Sequence, residues 1–94
     1  MSYLVLDARS IRENLPTGAD APEDSDALFL LYAVLLRVKG RDVGLRDVHD
    51  AWVAWMEMRE QTHESMRPFD DLSPAIQSED APFVEAIHRV AAMR

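Results

Sequence analysis

Cysteine is absent from this chain of 94 residues, and its three glycines are scattered. The lack of cysteine excludes disulfides, thiolate metal sites and thiol nucleophiles. Gly18, Gly40 and Gly44 lie too far apart to form the glycine-rich loop that cradles a phosphate in front of a helix. The longest apolar run, from Ala27 to Leu36, is about half as long as the roughly twenty residues of a membrane-spanning helix. A membrane partner is therefore not expected.

Basic residues are also few. Ten Lys and Arg stand against seventeen Asp and Glu, which gives a net charge of -7. Phosphate binding needs clustered Lys and Arg, so a nucleic-acid partner is not expected. Met1 to Asp7 carries no basic region, and its apolar stretch is too short for the core of a signal peptide. Without an export signal or cysteine, the cytoplasm is the expected compartment.

The apolar pattern predicts an all-α fold, a compact bundle of four to five helices that forms a single domain over residues 1–94. Caps and breakers set the expected bounds. The predicted helices are Ala8 to Leu15 capped by Asp7, a central helix at about 26–39 capped by Ser25 or Asp24 and ended by Gly40, Val48 to about Gln61 capped by Asp47, a short turn from Ser73 to Ser78, and a last helix after Asp80.

The helix at 26–39 is apolar on most of its circumference, which predicts that neighbouring helices cover most of it. Its first apolar stripe includes Leu28 and Val38, and a second stripe runs beside it. The second and third helices together carry more apolar surface than a small core needs, which favours a protein partner or a homodimer. The predicted interface residues are Phe29, Tyr32, Trp55, Met56 and Met58.

Catalytic patterns are weak. Ser65 lies near His63 in sequence, with Asp70 and Asp71 close by, but no Gly-x-Ser-x-Gly elbow accompanies them. No pair of histidines has the spacing of a metal site. We therefore expect no catalytic residues, no metal and no cofactor.

Two tryptophans on the third helix are more informative. Core packing is the simplest interpretation of Trp52 and Trp55. The alternative is a surface on which a planar base stacks. Arg59 follows Trp55 by one turn and Arg67 lies on the irregular segment beyond, so either could meet a phosphate by a bidentate bond.

Two segments in order carry a family resemblance. Asp47-Val48-His49-Asp50-Ala51-Trp52, followed by the segment from His63 to Leu72, resembles the ryanodine-receptor (RyR) repeat domain. That domain has a V-H-x-x-W helix, an H-P-x-L-x-P-[YF]-x-x-L segment, a later Asp and a final helix. The match covers about residues 47–93. The chain is also similar to small uncharacterised actinobacterial and actinophage proteins.

The resemblance implies a helical module that binds a nucleotide-like ligand and does not catalyse. It implies Trp52 against the base, with His49 and His63 as the motif histidines. Together with the two arginines, the candidate ligand-binding residues are Trp52, His49, Arg59, His63 and Arg67. From the residues alone, His63 is better explained as a staple whose ring N–H bonds a backbone carbonyl and holds the irregular segment closed.

Two functions follow from the sequence. The favoured one is a non-enzymatic protein-interaction or structural module able to pair with itself. The alternative is an RyR-like ligand-recognition module for a nucleotide-like metabolite, with Trp52 stacking.

Overall fold

A computed structural model describes residues 1–94 and shows helices and no strand. The helices are α1 (Tyr3–Glu13), α2 (Asp26–Lys39), α3 (Leu45–Met58), the single turn α4 (Pro74–Gln77) and α5 (Ala81–Ala92), with 3-10 turns at Gly40–Asp42 and Phe69–Asp71. The predicted all-α class is confirmed. None of the helices combines the length and the hydropathy that crossing a bilayer requires.

α2 lies at the centre, as predicted, with α1, α3 and α5 packed against it. Its inner face is buried, and the rings of Phe29 and Tyr32 meet edge to face with centroids 5.2 Å apart. Phe83 from α5 packs against both rings. Burial raises the pKa of Tyr32 far above its ordinary value. Gly40 ends α2 with a positive φ of 54°, a backbone conformation that residues other than glycine rarely adopt.

The outer face of α2 is apolar but uncovered. Leu30, Val34 and Val38 keep 37%, 42% and 74% of their surface exposed, and Ala27 is exposed on the same face. The expectation that neighbours cover most of this helix is therefore wrong, because α1, α3 and α5 pack against its other sides and leave this one exposed.

Most of the predicted interface residues do not lie on the surface. The structure buries four of them in the core, namely Phe29, Tyr32, Trp55 and Met56. Only Met58, at the end of α3, is exposed. These side chains are buried because the inner faces of α2 and α3 pack against each other and against α5.

α1 begins five residues before its predicted start. The Ser2 hydroxyl caps it by accepting from the Val5 N–H. Asp7, predicted as the cap, is instead a buried residue within the helix. Its carboxylate accepts from Arg37 Nε at 2.7 Å and also from the guanidinium of Arg94. Two cations therefore satisfy a carboxylate that local sequence rules place at a helix end.

α3 also begins three residues early, at Leu45. Asp47 does not cap it as the preceding residue but sits in its first turn, where it accepts from the Gly44 N–H at 2.9 Å and from Lys39 Nζ at 3.0 Å. Partial burial alone would raise the pKa of Asp47, but these hydrogen bonds and the Lys39 charge hold it below its ordinary value. α3 ends at Met58, three residues before the predicted Gln61.

The last two helices follow the prediction. The Ser73 hydroxyl accepts from the Ile76 N–H at the start of α4, with Pro74 as the first helical residue. Asp80 precedes α5, although its side chain makes no capping hydrogen bond. The Asp80 carboxylate instead lies on the side of the chain that carries Trp52.

Candidate functional site

The irregular stretch between α3 and α4 is held by hydrogen bonds from side chains of the neighbouring helices. His49 on α3 donates from Nε2 to the carbonyl oxygen of Arg67 over 2.7 Å. Gln77 Nε2 donates to the carbonyl oxygen of Phe69 over 2.9 Å. Arg46 pairs with Asp70 at 2.8 Å, which raises the pKa of Arg46 and lowers that of Asp70.

The staple histidine is therefore His49 and not His63. The His63 side chain is exposed, and its Nδ1 accepts from the backbone N–H of Ser65 at 3.0 Å. His49 is buried and one turn before Trp52 on α3, so its position is fixed by the helix. A rigid helix holds a hydrogen-bond donor in place better than an exposed loop does, which explains the exchange of roles.

Around Trp52 the chain forms a small cleft, which we call the Trp52 cleft. Its volume is about 170 Å³, and its lining residues are His49, Trp52, His63, Ser65, Ile76, Glu79 and Asp80. The His49 ring lies 5.9 Å from the Trp52 ring at a tilt of 31°. The His63 ring stands nearly perpendicular to the indole, with centroids 5.5 Å apart. α3, the irregular stretch and the α4–α5 junction thus each supply one wall.

The cleft is acidic. Neither Glu79 nor Asp80 has an ion-pair partner within the chain. Burial raises the pKa of Asp80, the charge of Glu79 adds to the rise, and the nearby His49 opposes it. Asp80 is therefore a carboxylate that has lost part of its hydration without gaining a cation.

Three of the five predicted ligand residues meet in this cleft, namely Trp52, His49 and His63. The two arginines do not line it. The Arg59 guanidinium lies over the Trp55 ring, 4.3 Å from its centroid. Arg67 is exposed and supplies its carbonyl oxygen to His49.

Sequence reasoning missed the two acidic residues of the cleft. Local rules predict Asp80 as the cap of the last helix, and they favour helix capping or surface solvation over acid–base work for the pair Glu79-Asp80. The one available signal was the absence of any partner of opposite charge three or four residues from either carboxylate. Their approach to Trp52 depends on how α4 folds back against α3, which no local pattern contains.

A family model matches residues 2–92, which includes all five helices. The chain belongs to the DUF7701 family, described as a domain of unknown function. The match extends well beyond the part that resembles the RyR repeat. No curated protein and no solved structure matches the chain. The kinship with RyR repeats therefore stays a prediction.

In this DUF7701 domain the nucleophile and base considered from the sequence are not arranged as a pair. His63 Nδ1 is engaged by the Ser65 backbone and not by its hydroxyl, while Asp70 is paired with Arg46. No three His, Asp or Glu side chains come together as a metal site. His88 is half-buried and donates to the Val43 carbonyl oxygen.

The largest depression of the molecule has a different character. It is an open hollow of about 570 Å³ between Leu45 and α5, with Val84 on its floor. Its charged residues Glu85 and Arg89 already pair with each other at 2.8 Å. Convergent polar groups are what fix a ligand in a pocket, and this hollow has none to spare. The Trp52 cleft is therefore the better candidate for ligand recognition despite its smaller volume.

Proposed function

We propose that this domain is a non-enzymatic protein-interaction module that pairs with a second copy of itself through the outer face of α2. The observation that carries the proposal is the row formed by Leu30, Val34 and Val38 on that face. These residues follow one another at i, i+4 and i+8, so their side chains share one side of the helix. Ala27 extends the row by one turn.

This row is apolar surface that the domain leaves in water. Single exposed apolar residues are ordinary on soluble proteins, but contiguous ones typically mark an interaction site. The row continues into a shallow groove that Tyr3, Leu4, Val34 and Arg37 line. The Arg37 guanidinium lies 4.8 Å from the centroid of the Tyr3 ring and so borders the apolar surface with a charge.

Charge along α2 favours a second copy in the opposite direction. Acidic residues surround its N-terminus, where Glu23 and Asp24 are exposed and without an ion pair. At its C-terminal end Arg37 and Lys39 lie in the last turn. Beyond them the exposed Arg41 stands beside the exposed Asp42, so this end is basic on balance. An antiparallel pairing about a two-fold axis brings the acidic end of each copy to the basic end of the other. The same pairing sets the small Ala27 against the larger Val38.

The expected dimer is weak. One helix face of this length buries far less than the roughly 1,600 Å² of a standard interface. We therefore expect a dissociation constant on the order of 0.1 mM. The net charge of -7 on each copy opposes association, but at about 0.15 M salt charges farther apart than about 8 Å are largely screened.

Sedimentation equilibrium over a concentration series tests the proposal. The unaltered protein is expected to show a monomer–dimer equilibrium, because the row is intact. Val34→Glu is expected to be monomeric at every concentration, because it sets two like charges near the axis. The matched control is Ala54→Glu, which adds the same charge at an exposed position of α3 and is expected to dimerise normally.

Circular dichroism shows whether each variant is folded, and Val34 is exposed enough that Val34→Glu is expected to fold. A monomeric unaltered protein at about 1 mM would overturn the proposal, since that exceeds the expected dissociation constant about tenfold. Equal dimerisation of the two Glu variants would move the interface away from α2.

A ligand-recognition role remains the second candidate, because the structure brings Trp52, His49 and His63 to one cleft. The chemistry of that cleft differs from the one that the sequence implied. Unpaired carboxylates repel a phosphate group, and both candidate arginines lie elsewhere.

A further inference from the structure

One arrangement recurs on the surface of this domain: an arginine guanidinium held between a carboxylate and an aromatic ring. The three instances are Arg37 with Asp7 and Tyr3, Arg12 with Asp26 and Phe29, and Arg46 with Asp70 and Phe69. The carboxylate takes the hydrogen bonds and charge of the guanidinium, while the ring covers its flat face.

The geometry of these instances is similar. Arg12 lies 3.1 Å from the Asp26 carboxylate and 4.2 Å from the centroid of the Phe29 ring. Arg46 lies 2.8 Å from Asp70 and 5.1 Å from the Phe69 centroid, with the carboxylate of that pair largely exposed. The Asp26 carboxylate is also exposed, whereas the Asp7 carboxylate that pairs with Arg37 is buried, so the arrangement forms with either kind of carboxylate.

The Trp52 cleft contains the same two components and lacks the third. Trp52 supplies the ring, Asp80 and Glu79 supply carboxylates, and no arginine or lysine of the chain lines the cleft. The two tryptophans differ in this respect, because Trp55 carries the Arg59 guanidinium on its ring. We propose that the Trp52 cleft binds the guanidinium group of a ligand from outside the chain.

The size of the cleft agrees with a single planar cation. The volume of the cleft is about 170 Å³. Ligand pockets for whole drug-sized molecules are typically about 300–1,000 Å³. The cleft is therefore of a size for a guanidinium with part of its aliphatic stem and is smaller than a typical site for a whole nucleotide.

The charge of the cleft selects the same class of ligand. A guanidinium can donate to two carboxylates at once and lie flat on an indole, which an ammonium group does less well. The desolvated carboxylate of Asp80 gains a partner for its charge on binding. The guanidinium could belong to a free small molecule or to an arginine side chain of a peptide, since both present the same group.

NMR titration of the folded protein tests the proposal with matched probes. N-acetyl-arginine amide carries the guanidinium, N-acetyl-citrulline amide replaces it by an uncharged planar urea, and N-acetyl-lysine amide keeps the charge without the plane. We expect the arginine probe to shift the Trp52 indole N–H and the amides of Glu79 and Asp80, with a dissociation constant on the order of 1 mM. An Arg-containing tripeptide that binds more tightly than this probe would identify a peptide as the source.

Variants locate the binding. Asp80→Asn keeps a good N-cap residue for α5 and removes the charge, so it is expected to weaken binding of the arginine probe about tenfold. Asp50→Asn is the matched control, because Asp50 is exposed on α3 and outside the cleft. It is expected to change the affinity by less than about twofold. The monomeric variant Val34→Glu is expected to bind normally, which separates this proposal from the dimer.

Several results would overturn the proposal. The citrulline probe binding as tightly as the arginine probe would show that charge plays no part. Binding unchanged in Asp80→Asn, or shifts confined to residues outside the cleft, would place the site elsewhere. Absence of any shift at about 20 mM arginine probe, well above the expected dissociation constant, would remove the site altogether. Tighter binding of adenosine monophosphate at Trp52 would favour the nucleotide-like ligand instead.

Discussion

Both faces of α2 carry large apolar residues, but the two faces have opposite surroundings. The inner face, with Phe29 and Tyr32, is almost completely buried against three helices. The outer face, with Leu30, Val34 and Val38, meets water. The presence of apolar residues alone does not show which face another helix covers. The difference shows that one side of this helix packs in the core while the other stays accessible, as the proposed pairing requires.

The largest expected effect is on the inner face. Phe29→Ala removes a ring that packs edge to face on Tyr32 and lies under the Arg12 guanidinium. The loss is expected to lower the free energy of unfolding by about 3–5 kcal/mol, since a buried Phe is replaced by a cavity. Urea unfolding followed by circular dichroism measures it.

The matched change on the outer face is Leu30→Ala, one residue further along α2. It is expected to cost about 1–2 kcal/mol, less than Phe29→Ala, because 37% of Leu30 stays exposed and the smaller side chain leaves no closed cavity. If both substitutions lower the free energy of unfolding by a similar amount, the two faces do not differ in burial and the outer face is also covered.

The next effect concerns the buried Asp7 of α1. Its carboxylate accepts hydrogen bonds from Arg37 of α2 and from Arg94 at the end of the chain. Asp7→Ala is expected to cost about 1–3 kcal/mol, because charge-assisted hydrogen bonds are lost. The cost stays below that of breaking a fully buried pair, since both arginines still reach water. In urea unfolding, Glu13→Ala on the exposed side of α1 serves as the control. A loss no greater than for that control would contradict the role of Asp7.

A smaller effect concerns the C-terminal end of α2, where Lys39 meets Asp47. Because the folded pKa of Asp47 is lowered, its contribution to stability is complete above the ordinary aspartate pKa of about 3.9 and is lost as pH falls through the folded value. Asp47→Asn is therefore expected to cost about 0.5–1 kcal/mol at neutral pH and less as the solution is acidified.

Urea unfolding of the unaltered protein and the Asp47→Asn variant at several pH values measures this difference. Asp42→Asn, in the turn before α3, is the control with no ion pair to lose. A difference that persists unchanged at the lowest pH would show that the charge of Asp47 contributes nothing.

Much of the fold could be predicted from the sequence. The Ser73-Pro74 start of α4 and the glycine end of α2 depend on neighbouring residues and were predicted correctly. The start of α1 was not, because Asp7 has the chemistry of a cap and its true partners, Arg37 and Arg94, are distant in sequence. Local rules identify what a residue can do but not which distant partner it finds.

In the candidate site, too, the features set by neighbouring residues were predictable and those set by distant residues were not. His49 and Trp52 share a face of α3 at spacing i, i+3, so the sequence could place them together. Asp80 reaches them only through the turn of α4, and its burial is a property of the folded chain. The outer face of α2 was missed for a related reason, since an apolar stripe does not reveal whether another helix covers it.

Disulfide cross-linking tests the antiparallel pairing of α2 most directly, because the chain has no cysteine of its own. Mixing the variants Ala27→Cys and Val38→Cys is expected to give the mixed cross-link, since those positions face each other across the axis. Cross-links between identical positions are expected to be rare, because the antiparallel copies place them about 16 Å apart along the helix and a disulfide spans less than about 7 Å. Ala54→Cys on α3 gives the rate of random collision. Identical-position cross-links that outnumber the mixed one, or a mixed cross-link no faster than random collision, would contradict the pairing through α2.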